Sequence, residues 1–569
     1  RAGYRTCGFL KPPLGSNEDE PFPNINVKFC VRFADVQPAK KGNIAIHCGG
    51  PGSLSGCSMT ESVGKDNLEN YNIISFDQRG MGMSWPSFAH EECTYGTIEY
   101  NGTLMQTGMD PFDIDATNAS SIQAYLDQQK ARVFSCWACE TCDFHLPAAD
   151  GSDKTYHFLE YSGTRQVAQD LDAFRQAIGA DKLSLYGISY GTQVMATYAT
   201  MYPQNTDKFV IDANMPPQPD LYVMASIVAE NNHQRQSYLA YTCTLRNEIV
   251  PGSCDIDLNF CFQETFNFYE QVFHSVGISQ FSQAFLAEFS RAAVLDTFKD
   301  ACDAAAEKDV TKFLSSLITL EVRPYPEPYS VCFPGIFEMA VDLLDTVGVP
   351  GNITDEEAGV GVAAYYLSFL ADEETCQTFA DYANDKSQQE ELVYELWEKE
   401  FGPLYLPKED ASALQKDLQQ VINIEECSGP THLDWSHPFL FIECTDGSFV
   451  EVDDFPYGTL MGSPAAIPQT MVLAQSMSGS SYDDQHVIQL VQEMYDKYGG
   501  GFYGENSAAN FIFWYTIGFY WPKAQPVPPA GDDRVTGIVA GQLYDYVTAY
   551  EFTQDMKMAF PSTTLITSQ

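Results

Sequence analysis

Short apolar runs alternate with amphipathic stretches through the first third of the chain. Asn43–Ile46 reads as a strand running into a glycine-rich loop, and Tyr71–Phe76 as a second strand ending at Asp77. From Thr164 to Ile178, the apolar residues Val167, Leu171, Phe174 and Ile178 recur at helical spacing and share one face. Leu183–Tyr186 is another short strand. Thr192–Tyr202 has a helical pattern that stops at Pro203, which cannot continue a helix, and Lys208–Ile211 is a further strand. Strands alternating with helices predict an α/β fold: a mostly parallel sheet with helices on both faces.

From about Asn214 the pattern changes. Residues 225–425 are dominated by helical periodicity, as in Ser279–Phe298 and Glu390–Phe401, and Leu440–Cys444 looks like a strand near the end of this region. The most apolar stretch, Phe511–Trp521, is too short to cross about 30 Å of hydrocarbon as a helix and reads as a buried core or lid helix. A proline-rich segment, Trp521–Pro529, leads to a strand at Val535–Ala540, a helix at about Thr548–Ala559 and a last strand at Thr563–Thr567. This divides the chain into a core part over residues 1–214, a mainly helical lid insertion over 215–520 and a second core part over 521–569.

Composition adds a compartment. Sixteen cysteines, an even number, are more than a reducing cytosol normally tolerates. Sequons at Asn101, Asn118 and Asn352 agree with a secretory route, to the extracellular space or a lysosome-like lumen. The chain opens on Arg1, which suggests that an upstream segment has been removed. With 31 Lys+Arg against 77 Asp+Glu, the formal net charge is −46. Such a surface repels nucleic acid and anionic membranes and attracts cationic ligands. Neither a membrane span nor a cofactor is expected. Cys136, Cys139, Cys142 and His145 stand at three-residue spacing and could bind zinc. In an oxidising compartment, disulfides are the better reading of Cys136, Cys139 and Cys142.

The chemistry centres on Gly187-Ile-Ser-Tyr-Gly191. Set between the strand Leu183–Tyr186 and the following helix, this Gly-x-Ser-x-Gly turn resembles the nucleophile elbow of α/β-hydrolases. Ser189 would be the nucleophile, and a Cβ at Gly187 or Gly191 would clash with the neighbouring strand or helix. Oxyanion donors would be the N–H of Tyr190 and one from the loop His47-Cys-Gly-Gly-Pro-Gly52. Pro51 has no N–H, so Gly50 or Gly49 is the candidate there, with Gly50 preferred. His47 precedes the nucleophile in the chain, against the Ser–Asp–His order of this fold, and is expected to be structural.

Gly49–Gly52, Asp77-Gln-Arg-Gly-Met-Gly-Met-Ser84, the helix containing Asp170-Leu-Asp-Ala-Phe-Arg175 and the elbow follow one another as in a known family. The chain resembles the α/β-hydrolase serine peptidases of the prolyl iminopeptidase and tripeptidyl aminopeptidase type, densely over 43–213 and loosely over 535–569. The resemblance implies an exopeptidase acting on peptides with a free N-terminus, and a structural Arg79 paired with a nearby acid. It implies an orienting acid after the next strand, at Asp545, although one extra residue precedes Asp545 and Ala549 stands where the pattern has proline. The base would be a histidine just beyond the last strand, past Gln569; no histidine follows His486. Two other functions fit the same residues. One is an inactive hydrolase-fold component of an extracellular or organelle assembly with protein partners; the other is an esterase or lipase.

Overall fold

The computed structural model describes residues 5–15, 22–51, 65–81, 84–86, 97–100, 103–106, 114–137, 142–147, 153–218, 220, 223–224, 226–231, 233–234, 248–249, 258–275, 295–322, 328–347, 356–369, 371, 373–383, 385–401, 431–433, 441–444, 449–451, 483–501, 504–505, 507–509, 511–512, 520, 527–543, 545 and 548–568. Two compact units emerge: residues 1–233 with 464–569, and residues 234–463.

The first unit is built on an eight-stranded sheet. Its strands are β1 (Arg5–Leu10), β2 (Val27–Arg32), β3 (Gly42–His47), β4 (Tyr71–Phe76), β5 (Leu183–Ile188), β6 (Thr206–Asp212), β7 (Gly537–Gln542) and β8 (Thr563–Ser568). They lie in the order β1-β2-β4-β3-β5-β6-β7-β8. The pairs β1–β2 and β2–β4 are antiparallel, and every other neighbouring pair is parallel. The expected α/β architecture is therefore present. β5 is buried almost residue for residue, with Leu183 and Leu185 fully shielded, as a central parallel strand covered on both faces must be. At the edge, only Thr563 of β8 is buried. Cys7 and Cys30, which face each other across β1 and β2, form a disulfide.

Four helices of this unit matter to the argument: α1 (Lys65–Asn70), α2 (Ala119–Trp137), α3 (Thr164–Ala177) and α4 (Tyr190–Met201). α3 and α4 flank β5 in the chain, and their Val167, Leu171, Val194 and Met195 join β-strand residues Ala45, Ile74, Leu185 and Phe209 in one core. The predicted face of α3 needs one correction. Ile178 is its C-cap and is 42% exposed, because the helix ends at Ala177 before another turn can carry that position to the sheet. A second core joins Ile122, Tyr125 and Leu126 of α2 to Val487, Val491 and Met494 of the Asp484–Lys497 helix. Phe511 and Ile512, which open the most apolar stretch of the sequence, are buried in this cluster; residues 513–519 of that stretch lie outside the described residues.

The second unit is mainly helical. Helices at Leu258–Ser275, Leu295–Glu307, Val310–Val322, Tyr329–Val347, Glu356–Phe369, Glu373–Asp381 and Lys386–Phe401 bury Phe313, Leu317, Ile336, Phe337 and Leu367. A small antiparallel sheet joins Thr431–Leu433, Phe441–Cys444 and Phe449–Glu451. The expected helix over Ser279–Phe298 is met only at its end, by the helix starting at Leu295; residues 276–294 lie outside the described residues. Among the described residues, no helix is long and apolar enough to cross a membrane.

Of the three sequons, Asn118 is exposed just before α2, where its Oδ1 accepts the Ser120 N–H at 3.0 Å. Asn101 and Asn352 lie outside the described residues.

Candidate active site

β5 extends two residues further than its apolar run suggests and delivers Ser189 directly into α4. Ser189 has φ 55° and ψ −130°, a conformation that costs a non-glycine residue roughly 1–3 kcal/mol and persists only when its surroundings over-determine it. Those surroundings are specific. The Ser189 N–H donates to the Asp212 carbonyl at 3.2 Å, while the Thr192 N–H and Oγ1 donate to the Ser189 carbonyl at 2.9 and 2.6 Å. A Cβ on Gly187 would lie 2.4 Å from the Gly191 carbonyl oxygen, and one on Gly191 would lie 2.1 Å from that of His47. The two glycines thus let the turn close on the start of α4 and let α4 lie against β3.

The loop after β3 reaches the same spot. A Cβ on Gly49 would sit 2.8 Å from Ser189 Cβ and 3.2 Å from its Oγ. Gly49 cannot offer its N–H to a substrate, because that group donates to His47 Nδ1 at 3.1 Å. Nδ1 is therefore unprotonated, so Nε2 carries the proton and donates to Gln78 Oε1 at 3.0 Å. Gly50 is exposed, and its N–H has no partner among the described residues, which makes it the donor left in this loop. The Tyr190 side chain is fully buried. Its hydroxyl pairs with Thr164 Oγ1 at 2.7 Å and its ring packs edge-on to His47. Its N–H belongs to the first turn of α4, where no preceding turn supplies a carbonyl.

His47 is thus a wedge between the two loops, with both ring nitrogens engaged, as expected for a structural histidine. Unfolded, an imidazole titrates near 6.5; burial pushes this one down to about 4. Between those values the unfolded chain binds the extra proton, so the folded state loses stability as pH falls through the window, and the contribution is complete above it. From about pH 7.5 to about pH 5, the stability advantage of wild type over His47→Gln is expected to shrink by about 2 kcal/mol in denaturant titrations. An advantage that does not change with pH would contradict this account.

Arg79 pairs with an acid, as expected, and the acid is Asp170 on α3. Arg79 Nε and Nη2 donate to the two carboxylate oxygens at 2.8 and 2.6 Å. Nη1 donates to the carbonyls of Leu14 and Tyr161 at 2.6 and 2.7 Å. Arg79 therefore ties three chain segments together, and the direct link from this stretch to the oxyanion loop is its neighbour Gln78. Ser84 closes the stretch by donating to the Asp77 carbonyl at 2.6 Å.

Asp545 follows β7. Its Oδ1 accepts the Thr548 N–H and its Oδ2 the Thr548 hydroxyl, both at 2.8 Å, which fixes the entry to the Tyr550–Ala559 helix. A carboxylate has about four acceptor sites, so two such bonds do not saturate it. Registers set where Asp545 stands relative to Ser189. Asp212 pairs with Ile188 on one side and Ala540 on the other, so β5, β6 and β7 end at one edge of the sheet. β8 ends there too: Ser568 pairs with Gln542, and its carbonyl accepts the Leu543 N–H at 3.0 Å.

Asn214, which sequence reasoning missed, links these ends. It is fully buried, and its Nδ2 donates to the Ala540 carbonyl at 2.6 Å and to Thr553 Oγ1 at 3.1 Å. The next residue, Met215, donates its N–H to Thr192 Oγ1 at 2.9 Å. One turn thus joins the elbow to β7 and to the helix beyond Asp545. An asparagine after a strand carries no motif, so only the fold reveals it.

Cys142 is in a disulfide, and a disulfide sulfur is not a thiolate ligand. The Cys136 side chain and all of Cys139 lie outside the described residues. Cys48, beside the oxyanion loop, is also disulfide-bonded.

The strand order, the parallel core and the serine turn after the fifth strand define an α/β-hydrolase fold, and residues 43–253 match the family model of that description. Among relatives, the chain is similar to the serine protease Hip1 of Mycobacterium tuberculosis, at 29% identity over 221 residues, 38% of this chain and 37% of Hip1. It is also similar to a tripeptidyl aminopeptidase of Streptomyces coelicolor, at 26% identity over 186 residues, 32% of this chain and 30% of the relative. The chain thus matches only about a third of the length of these relatives. A solved proline iminopeptidase of Mycobacterium smegmatis aligns over 46% of this chain and 60% of its own, at 14% identity and a TM-score of 0.22. The first unit of the chain has an α/β-hydrolase fold, and part of it is similar to a serine protease and a tripeptidyl aminopeptidase.

Proposed function

We propose that this protein is a secreted serine exopeptidase that releases residues or short peptides from free N-termini. The observation that carries the reading is the strained Ser189 at the end of β5, with the Gly49–Gly50 loop against it. Ser189 Oγ attacks the scissile carbonyl carbon, and the N–H groups of Gly50 and Tyr190 hold the oxyanion. Asp545 orients the imidazole that takes the serine proton and returns it to the leaving amine. The family resemblance implies a place for that imidazole after the last strand, β8. The acyl-enzyme then yields to water. Two relatives, a serine protease and a tripeptidyl aminopeptidase by name, support peptide substrates. The strongly acidic surface favours a cationic N-terminus. The disulfides support a secretory route.

The test is a paired peptide digest read by mass spectrometry. Peptides with free N-termini should lose N-terminal fragments, and the same peptides N-acetylated should remain intact. Internal cleavage of both sets, or turnover of esters alone, would overturn the exopeptidase reading.

A further inference from the structure

Among the described residues of the helical unit, two cysteines stand apart from the disulfide. Cys332 and Cys376, both buried, join the helices Tyr329–Val347 and Glu373–Asp381 with their Cα atoms 5.2 Å apart. Cys261 and Cys302 are free and buried, at 0% and 8% exposure. They too lie on different helices, Leu258–Ser275 and Leu295–Glu307, which pack on each other. The two thiols hydrogen-bond to each other. A lone buried cysteine is adequately explained as a small apolar side chain. Two of them meeting sulfur to sulfur, from two helices, need a second reason.

We infer that Cys261 and Cys302 are a dithiol built to close into a second helix-to-helix disulfide in the helical unit. The chemistry needs an acceptor of two electrons, and a disulfide supplies it: oxidised glutathione or the disulfide of a thiol oxidoreductase. The Cys302 thiolate attacks one sulfur of that disulfide and expels the other as a thiolate, giving a mixed disulfide. Cys261 then attacks Cys302 Sγ and expels the second thiolate. Two S–H bonds are lost, one S–S bond forms, and the acceptor leaves as two thiols carrying the two electrons and two protons. The hydrogen bond from Cys261 draws the Cys302 thiol below its ordinary value, which makes Cys302 the first nucleophile. Burial keeps both thiols from bulk solvent in the finished fold, so closure takes place as the two helices come together and the hydrogen bond forms. The two bridges enclose separate stretches, 261–302 and 332–376, so each constrains its own part of the unfolded chain. This inference does not depend on the proposed catalytic activity.

The test is disulfide mapping of the whole protein refolded in a glutathione redox buffer, acid-quenched, alkylated under denaturing conditions and digested without reduction. The expected result is a linked Cys261–Cys302 peptide pair alongside Cys332–Cys376, the internal control. The Cys261→Ser/Cys302→Ser double variant should retain the control pair and unfold several degrees below wild type. Recovery of Cys261 and Cys302 as separately alkylated peptides, with the control pair intact, overturns the inference. So does pairing of either cysteine with a different partner. Should the double variant not fold, the wild-type map alone decides.

Discussion

Replacing Ser189 by alanine is expected to abolish covalent labelling by a fluorophosphonate probe and to lower hydrolysis by roughly a million-fold, the scale at which nucleophile and base act as one unit. The fold should survive, because the Ser189 hydroxyl is not among the bonds that shape the turn. Those bonds use the backbone N–H and carbonyl of Ser189, which alanine keeps. Ser189→Gly separates the two properties of this position. Glycine tolerates φ 55° without penalty, so this variant should also fail to label while gaining about 1 kcal/mol of stability from the released strain. Labelling is followed by gel fluorescence and stability by denaturant titration. A wild-type protein that does not label would sink the enzymatic reading and leave a hydrolase-fold protein used for binding. Labelling that persists in Ser189→Ala would move the nucleophile elsewhere.

The second large effect is on stability. Arg79 and Asp170 are 1% and 2% exposed, and their bidentate pair sits where neither charge can be hydrated. Arg79→Leu would leave the Asp170 carboxylate buried without its partner, and the Leu14 and Tyr161 carbonyls without their donor. Removing one member of such a pair typically costs about 3–5 kcal/mol. That is a large part of a domain's net stability of about 5–15 kcal/mol, so the variant should unfold well below wild type in a thermal melt. Asp170→Leu should cost a comparable amount. In the double variant the penalties should not add, because no uncompensated charge remains. Additive losses would show that the two side chains act independently, against the geometry. The surviving folded fraction should label at the wild-type rate per molecule, since neither side chain reaches Ser189.

Parts of this were open to reading in the chain. β3 to β6, α3 and α4 are legible from apolar spacing, since these central elements are buried and write their period plainly. β1 and β2 are absent from that reading: Gly8 interrupts β1, and the alternation of Val27, Phe29 and Val31 in β2 is confined to one six-residue strand. α2 is harder to read because Gln129 interrupts its buried stripe of Ile122, Tyr125, Leu126 and Val133. Gly187, Ser189 and Gly191 announced themselves because a tight strand-to-helix turn admits few residues. Gly49 and Gly50 could not be separated by sequence. What separates them is a single hydrogen bond from Gly49 to His47, and that depends on His47 also reaching Gln78.

By itself, then, the sequence determined the fold class and the elbow, while an acid for Arg79 and a carboxylate after β7 are what the family resemblance implies. The fold class and the elbow follow from local rules: periodicity and steric limits at a turn. The tertiary structure alone decided that Asp170 is the acid, that His47 is a neutral wedge, that Gly50 holds an N–H open among the described residues, and that the turn at Asn214 joins the elbow to β7 and to the helix beyond Asp545. Each of these is a contact between segments far apart in the chain. Hydrogen bonds and burial choose such partners only when the sheet has set its register, and no local pattern records that choice.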